Sequence, residues 1–192
     1  LIQELIDLPQ ELGLFYVRFP NKEKGKILGI TLKKFLTIQG DGINTIEELL
    51  KLEPRFEIQI PKLMNQIDLK EILKNGEERC LVPFGNHNRG TQFLDGSHLI
   101  SPKLNNTFDN LLRKIEGFYF GRLDIRFNTF EQLERGENFK IIELNGAKSE
   151  PTHIYDPSYS FLRGQKEIFR YQIIMTKIIR ITKSLSIFNK TI

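Results

Sequence analysis

The chain has 192 residues, 40% hydrophobic and 27% charged, with a net charge of +4. Such proportions suit a folded domain with a real core, or a substantial part of a larger protein, and the dispersed positive charge is unlike the concentrated basic stripe of a nucleic-acid binder. Cys80 is the only cysteine and the histidines are His87, His98 and His153, which excludes an internal disulfide and argues against a zinc centre; without a signal-peptide pattern or an uncharged run near the roughly 20 residues of a membrane span, the expected setting is reducing and cytoplasmic.

The first residues, Leu1-Ile2-Gln3-Glu4-Leu5-Ile6, read as the middle of an element, as in a cropped chain. Leu12 to Phe19 is aromatic and β-branched and predicts a strand. Lys26 to Leu32 predicts its antiparallel return across the polar turn 21–25, and Phe35 to Gln39 a third strand stopped by Gly40-Asp41-Gly42. Thr45 then predicts an N-cap, with Glu48 three residues on as in a capping box. Short helices are expected around 62–66 and 69–74, a strand over Arg79 to Phe84, and a glycine-bracketed polar loop over Gly85 to Thr91. Thr107 predicts the cap of a helix reaching Ile115, and Phe118 to Arg126 and Phe139 to Leu144 predict two strands joined by a polar excursion. From Ser160 the apolar pairs Ile168-Phe169, Ile173-Ile174 and Ile178-Ile179 recur at helical spacing with basic residues between them. Strands with few helices between them give an α+β class with a largely antiparallel sheet flanked by helices.

Chemistry concentrates in Arg122-Leu123-Asp124 and Glu143-Leu144-Asn145. On strands, residues two apart share a face, so each segment sends two polar side chains to one side. Two acids and an amide converging without a cation would be costly. A divalent metal beside phosphate explains them, with Asp124, Glu143 and Asn145 as hard oxygen ligands and Arg122 offsetting phosphate charge. A surface strand pair with a solvated salt bridge is the other reading of the spacing alone. The loop Gly85 to Thr91 offers amides, Asn86, Asn88 and Arg89 for an anion, or is an ordinary polar turn. Of Lys33 and Lys34 only one can reach any shared site. The segment Ser149 to Pro157, directly beyond the second strand, is either a substrate-contacting loop or a proline-set turn. The basic terminal helix either closes the core or meets an anionic surface.

In their order these segments resemble the C-terminal part of an ATP-grasp enzyme of the cyanophycin synthetase and D-alanine–D-alanine ligase kind. Gln3-Glu4-Leu5-Ile6 is similar to the hinge whose backbone reads adenine, and Glu11 to the acid that holds the ribose hydroxyls. Gly40-Asp41-Gly42-Ile43-Asn44-Thr45-Ile46 with Glu48-Leu49-Leu50 is similar to a segment of cyanophycin synthetase-like members. Asn86 to Thr91 falls where such members carry a phosphate-proximal loop, and Arg122-x-Asp124 with Glu143-x-Asn145 resembles their magnesium and phosphate set. The resemblance implies an ATP- and magnesium-dependent ligase that joins a carboxylate to an amine or thiol through an acyl phosphate. It implies metal ligation by Asp124, Glu143 and Asn145, and phosphoryl stabilisation by Arg122 and Arg89. ATP contacts would come from Glu4, Ile6, Glu11, Lys33 and Asn86, and substrate contacts from Ser149, His153 and Tyr155. By the same resemblance, 1–160 is a partial ATP-grasp domain starting at the hinge, and 161–192 an amphipathic helix packing on it. The other N-terminal half is then expected in the parent chain, and this chain alone is expected to be inactive. Asn145-Gly146-Ala147-Lys148-Ser149-Glu150-Pro151 departs from the family's Asn-Pro-x-Pro-Gly or Asn-Thr-x-Pro-Gly, so acceptor specificity does not carry over. A catalytically inactive ATP-grasp-like binding module and a basic interaction module built on the terminal helix are the competing expectations.

Overall fold

The computed structural model describes residues 6–188, and side chains over 6–185. In chain order it contains β1 (Gln10–Val17), β2 (Lys26–Lys34), β3 (Leu36–Gln39), α1 (Ile46–Lys51), α2 (Pro54–Glu57), α3 (Ile60–Leu63), β4 (Glu78–Val82), β5 (Gln92–Asp95), α4 (Pro102–Leu112), β6 (Phe120–Phe127), α5 (Phe130–Arg135), β7 (Phe139–Asn145) and α6 (Phe161–Phe188). Short 3-10 turns occupy His87–Arg89, Ser97–Leu99 and Thr152–Tyr155. The chain divides into two compact units, one running to Leu32 and resuming at Phe93, the other Lys33–Gln92.

The larger unit is built on a five-stranded sheet of order β5-β2-β1-β6-β7. β1 runs antiparallel to β2 and β6, and β6 antiparallel to β7. The class is therefore α+β with a largely antiparallel sheet, as the strand pattern predicts. β1 is buried at every position after Gln10, because both of its faces are covered. Leu12, Leu14, Leu123, Ile125 and Phe127 meet Leu104, Phe108 and Leu112 of α4 and Leu133 of α5 on one side. On the other, Phe15, Val17, Leu28 and Phe120 pack against Tyr171 and Ile178 of α6. The apolar pairs of α6 split across the helix: Ile174 and Ile178 face the sheet, while Phe169, Ile173 and Ile179 are exposed. Among the described residues no helix is long and apolar enough to cross a membrane.

Two boundaries differ from the sequence expectation. The helix expected from Thr107 starts at Ser101, whose hydroxyl accepts from the Leu104 amide at 3.0 Å with Pro102 in the first turn. Proline's fixed φ suits that position and serine is a strong cap. Thr107 lies inside α4 instead, donating to the Glu134 carbonyl at 2.6 Å. The polar excursion between β6 and β7 contains α5, capped by Thr129 and closed by Gly136 in the left-handed region at φ 74°.

In the smaller unit β3 pairs antiparallel with β4 as a separate two-stranded sheet. The Thr45–Glu48 capping box forms at the head of α1, with both of its reciprocal hydrogen bonds. The helix expected over 69–74 is absent. That segment runs alongside the start of α1, through a bridge from Thr45 to Ile72 and bonds from the Ile46 amide to the Glu71 carbonyl (2.9 Å) and the Glu47 amide to the Leu69 carbonyl (3.0 Å). Amides at a helix N-terminus lack intrahelical partners, and this segment supplies the carbonyls. Leu73 is buried with Leu36, Ile46, Leu50, Leu63 and Val82.

Candidate functional site

Leu123, Ile125 and Phe127 enter the core beneath α4, so alternation turns Phe120, Arg122, Asp124 and Arg126 to the opposite face of β6. The register sets Asp124 between Gly13 on β1 and Glu143 on β7, and Arg122 between Phe15 and Asn145. Residues directly opposed in a sheet present their side chains on one face. Arg122, Asp124, Glu143 and Asn145 therefore come together. Arg122 Nε donates to Asp124 Oδ1 at 3.0 Å and its Nη2 to Oδ2 at 3.2 Å. This pair is largely withdrawn from solvent, with side chains 16% and 6% exposed. Gly13 leaves the room for it, since a Cβ there would stand 3.2 Å from Arg122 Cδ and 3.3 Å from Asp124 Oδ1. Across the sheet edge Glu143 is exposed. Asn145 is half-buried, and its buried Nδ2 has no hydrogen-bond partner among the described residues. A register shift between Asp124 and Ile125 interrupts the ladder to β7 at this point, and such bulges re-aim neighbouring side chains.

The other sequence-selected residues fall in different places. Glu11, buried on β1, opposes Arg126 and meets its Nε at 3.1 Å, while Arg126 Nη1 donates to the Leu8 carbonyl at 2.8 Å. It forms a second ion pair on the face that carries the first. Ile6 is half-buried ahead of β1, and Glu4 lies outside the described residues. Lys33 is near the end of β2. In the smaller unit Asn86 caps the turn 87–89 by accepting from the Asn88 amide at 2.9 Å, and its own amide donates to Thr91 Oγ1 at 3.1 Å. Arg89 lies over the Phe84 ring at 5.5 Å, its Nε without a hydrogen-bond partner among the described residues. Asn86 and Arg89 thus shape and charge one loop.

Beyond β7, Ser149 Oγ donates to the Gly146 carbonyl at 2.7 Å and Tyr155 Oη to Glu150 Oε2 at 2.9 Å. Arg122 reaches this loop as well, its Nη1 donating to the Glu150 carbonyl at 3.2 Å. His153 is only 3% exposed. It packs between Tyr159 and Tyr171, with Nε2 3.8 Å from Glu167 of α6. Burial holds its pKa below the ordinary histidine value, against the raising influence of Asp95 and Glu167. That placement holds the loop to the sheet and helix. Sequence reasoning missed Gly13, Arg126 and the Glu150 carbonyl. The continued alternation Arg122-x-Asp124-x-Arg126 was a signal for Arg126; the loop contact left none.

Among the described residues no three His, Cys, Asp or Glu side chains are placed to hold a metal ion. Asp124, Glu143 and Asn145 offer two carboxylates and an amide, while Glu11 on the same face is engaged by Arg126. Magnesium is commonly held by one or two carboxylates, with substrate phosphates and water completing its shell. The donor types fit that ion, while Asn145 Nδ2, without a hydrogen-bond partner among the described residues, is a donor that suits an anion's oxygen and not the cation itself.

Similarity to known proteins follows the architecture. A bifunctional glutathione synthetase from Pasteurella multocida has a solved structure that matches 88% of this chain at 15% identity, with a TM-score of 0.53. The fold is ATP-grasp-like. The chain spans 25% of the length of that synthetase. No protein-family model and no curated protein matches the sequence.

Proposed function

We propose that this ATP-grasp-like unit belongs to a ligase that activates a carboxylate with ATP and passes the acyl group to an amine or thiol. The observation that carries the reading is the register of β6 and β7, which gathers Arg122, Asp124, Glu143 and Asn145 on one sheet face beside a bulge. Magnesium, when bound, would neutralise and orient the ATP phosphates. Asp124, Glu143 and Asn145 would hold it through hard oxygens. Arg122 would take the transferring phosphoryl group with its fork, keeping one hydrogen bond to the Glu150 carbonyl as it turns from Asp124. Arg89 is assigned the same charge-stabilising role from the loop after β4. Lys33, Asn86, Glu11, Glu4 and Ile6 are assigned to ATP, and Ser149 and Tyr155 to the acceptor, with His153 fixing their loop from below. The substrate carboxylate attacks the γ-phosphorus and ADP leaves. The neutral amine then attacks the acyl carbon, a C–N bond forms, the C–O bond breaks, and phosphate departs with its electron pair and the amine's proton. Positioning and charge stabilisation are the protein's contribution. Such a ligase works on soluble metabolites in the cytoplasm.

The test is magnesium-dependent ADP release by the intact protein with mixed carboxylates and amines. Asp124→Ala is expected to lower it about 100-fold or more. Turnover equal to that of the unaltered protein would remove the assignment.

A further inference from the structure

α6 carries a second apolar line that its packing on the sheet does not use. Tyr171, Ile174 and Ile178 turn inward to the cluster of Phe15, Leu28 and Phe120. Leu162, Phe169 and Ile173 stand exposed at 77%, 65% and 51%. Steps of seven and four residues bring these three into one row, on the side of the helix away from the sheet. From Leu162 to Arg180 that side runs for about 27 Å, at about 1.5 Å per residue.

Basic side chains border the row. Arg163, Arg170 and Lys177 follow one another at seven-residue intervals along one flank, with Lys166 and Arg180 closer to the apolar residues, and all are exposed. Arg163 lies over the Tyr159 ring at 3.8 Å and 3.7 Å from Asp95, and Arg170 meets Glu167 at 3.2 Å. Lys166, Lys177 and Arg180 have no ion pair among the described residues. Glu167 is the only acid between Phe161 and Leu185, and it is half-buried on the side that meets His153. The outward side therefore combines apolar and cationic groups with no carboxylate.

That combination selects what covers it. A second copy of the helix laid along the first would set cation against cation, which is repulsive. A protein groove would have to enclose Lys166 and Arg180 together with the apolar residues, whereas the cores of protein interfaces are poor in lysine. An anionic lipid surface accepts both kinds of group. Apolar side chains enter the acyl boundary, while lysine and arginine stems lie along the helix and carry their charges to the headgroups. We propose that the outward side of α6 docks the protein on an anionic membrane surface, with Leu162, Phe169 and Ile173 inserted and Lys166, Lys177 and Arg180 at the headgroups. The helix lies flat in the interface, its other side still packed on the sheet. The inference does not depend on the ligase reading.

Sedimentation of the full chain with vesicles of phosphatidylcholine, with and without about 30% phosphatidylserine, tests docking at about 0.1 M salt. Binding is expected to be at least about tenfold tighter to the anionic vesicles and to fall away at about 0.5 M salt. Phe169→Ala should weaken it about tenfold. Lys166→Gln combined with Lys177→Gln should weaken it about 25-fold, each cation near such a surface being worth about fivefold. Ile43→Ala, on a side chain 78% exposed in the other unit, should change nothing. The chain has no tryptophan, so Phe169→Trp reports on the row alone. Its emission should move to shorter wavelength with anionic vesicles and stay in place with poly-L-glutamate. Equal binding to neutral vesicles, full binding by Phe169→Ala, or an emission unmoved by vesicles overturns the proposal. Salt-sensitive binding of poly-L-glutamate with none to vesicles overturns it as well and gives the face to an acidic protein segment.

Discussion

One face of the large sheet is divided between two kinds of surface, and β6 crosses from one to the other within a few residues. At Phe120 the face is aromatic and covered. Phe15 meets Phe120 edge-on at 4.8 Å and Tyr171 at 4.7 Å, and α6 seals the cluster. From Arg122 onward the same face is charged, with Arg122–Asp124 and Arg126–Glu11 side by side. Burying apolar surface stabilises a fold without further conditions. Burying ion pairs stabilises little or nothing, because desolvation offsets the attraction. The aromatic half is thus explained by folding, whereas the charged half is poorly explained by it. That asymmetry is the physical ground for placing function at Arg122 and beyond.

The largest expected effect is at the second ion pair. Arg126→Ala removes the cation facing the buried Glu11 carboxylate, whose side chain is 4% exposed. Loss of one partner of a buried pair costs about 3–5 kcal/mol, which denaturant unfolding would register as a lower midpoint at unchanged slope. A loss under about 1 kcal/mol, typical of a surface pair, would place Arg126 and Glu11 with solvated charges. On the aromatic half, Gly29→Ala puts a methyl group where Tyr171 Oη and His153 Cε1 already stand. Overpacking of that kind costs about 1–3 kcal/mol, and hydrogen exchange should show faster opening in α6 than in β6. Equal exchange in both would mean that the close approach at Gly29 does not hold the helix down.

The contact at His153 also gives the aromatic half a pH dependence. Burial lowers its pKa in the folded protein, and the groups facing it are Glu167, Asp95, Arg170 and the rings of Tyr159 and Tyr171. Between that lowered value and about 6.5 the unfolded chain binds the proton more readily than the folded one. Its contribution is therefore complete above about 6.5 and is lost as pH falls toward the folded-state pKa, with a slope of at most about 1.4 kcal/mol per pH unit. His153→Gln should flatten unfolding free energy between pH 5 and 7. An unchanged slope would assign the acid sensitivity to other groups.

How much of this was legible differs between the two halves. Alternation alone put Arg122 with Asp124, and Glu143 with Asn145, each on one face. The Thr45-x-x-Glu48 pattern gave the head of α1 in full. Whether the two strand segments would oppose one another was a matter of register, which depends on the length of the α5 connection and on the bulge at Asp124/Ile125. The burial of His153 left no local trace, because it is caused by Gly29 on a distant strand and Tyr171 on α6. The Leu69–Lys74 segment looked helical by composition and is instead a turn followed by an isolated bridge at Ile72, its Leu69 and Glu71 carbonyls taken by the first amides of α1. Local pattern thus reached faces and caps, while long-range partners decided the rest.

The smallest expected effect sharpens the division most closely. Tyr171 is packed by Phe15 and Phe120 and its buried Oη has no hydrogen-bond partner among the described residues. Burial pushes its hydroxyl pKa well above the ordinary tyrosine range. If the ring alone matters on this half, Tyr171→Phe keeps every packing contact and removes only a desolvated group, so stability should rise slightly or change by less than about 0.5 kcal/mol. Tyr171→Ala would instead cost several kcal/mol, about 3–5 for a large buried ring. A loss above about 1 kcal/mol in the phenylalanine variant, the usual worth of a hydrogen bond, would give the hydroxyl a partner in solution. The aromatic cluster would then hold a polar anchor of its own, and the boundary between the two surfaces would lie beneath α6 instead of between Phe120 and Arg122.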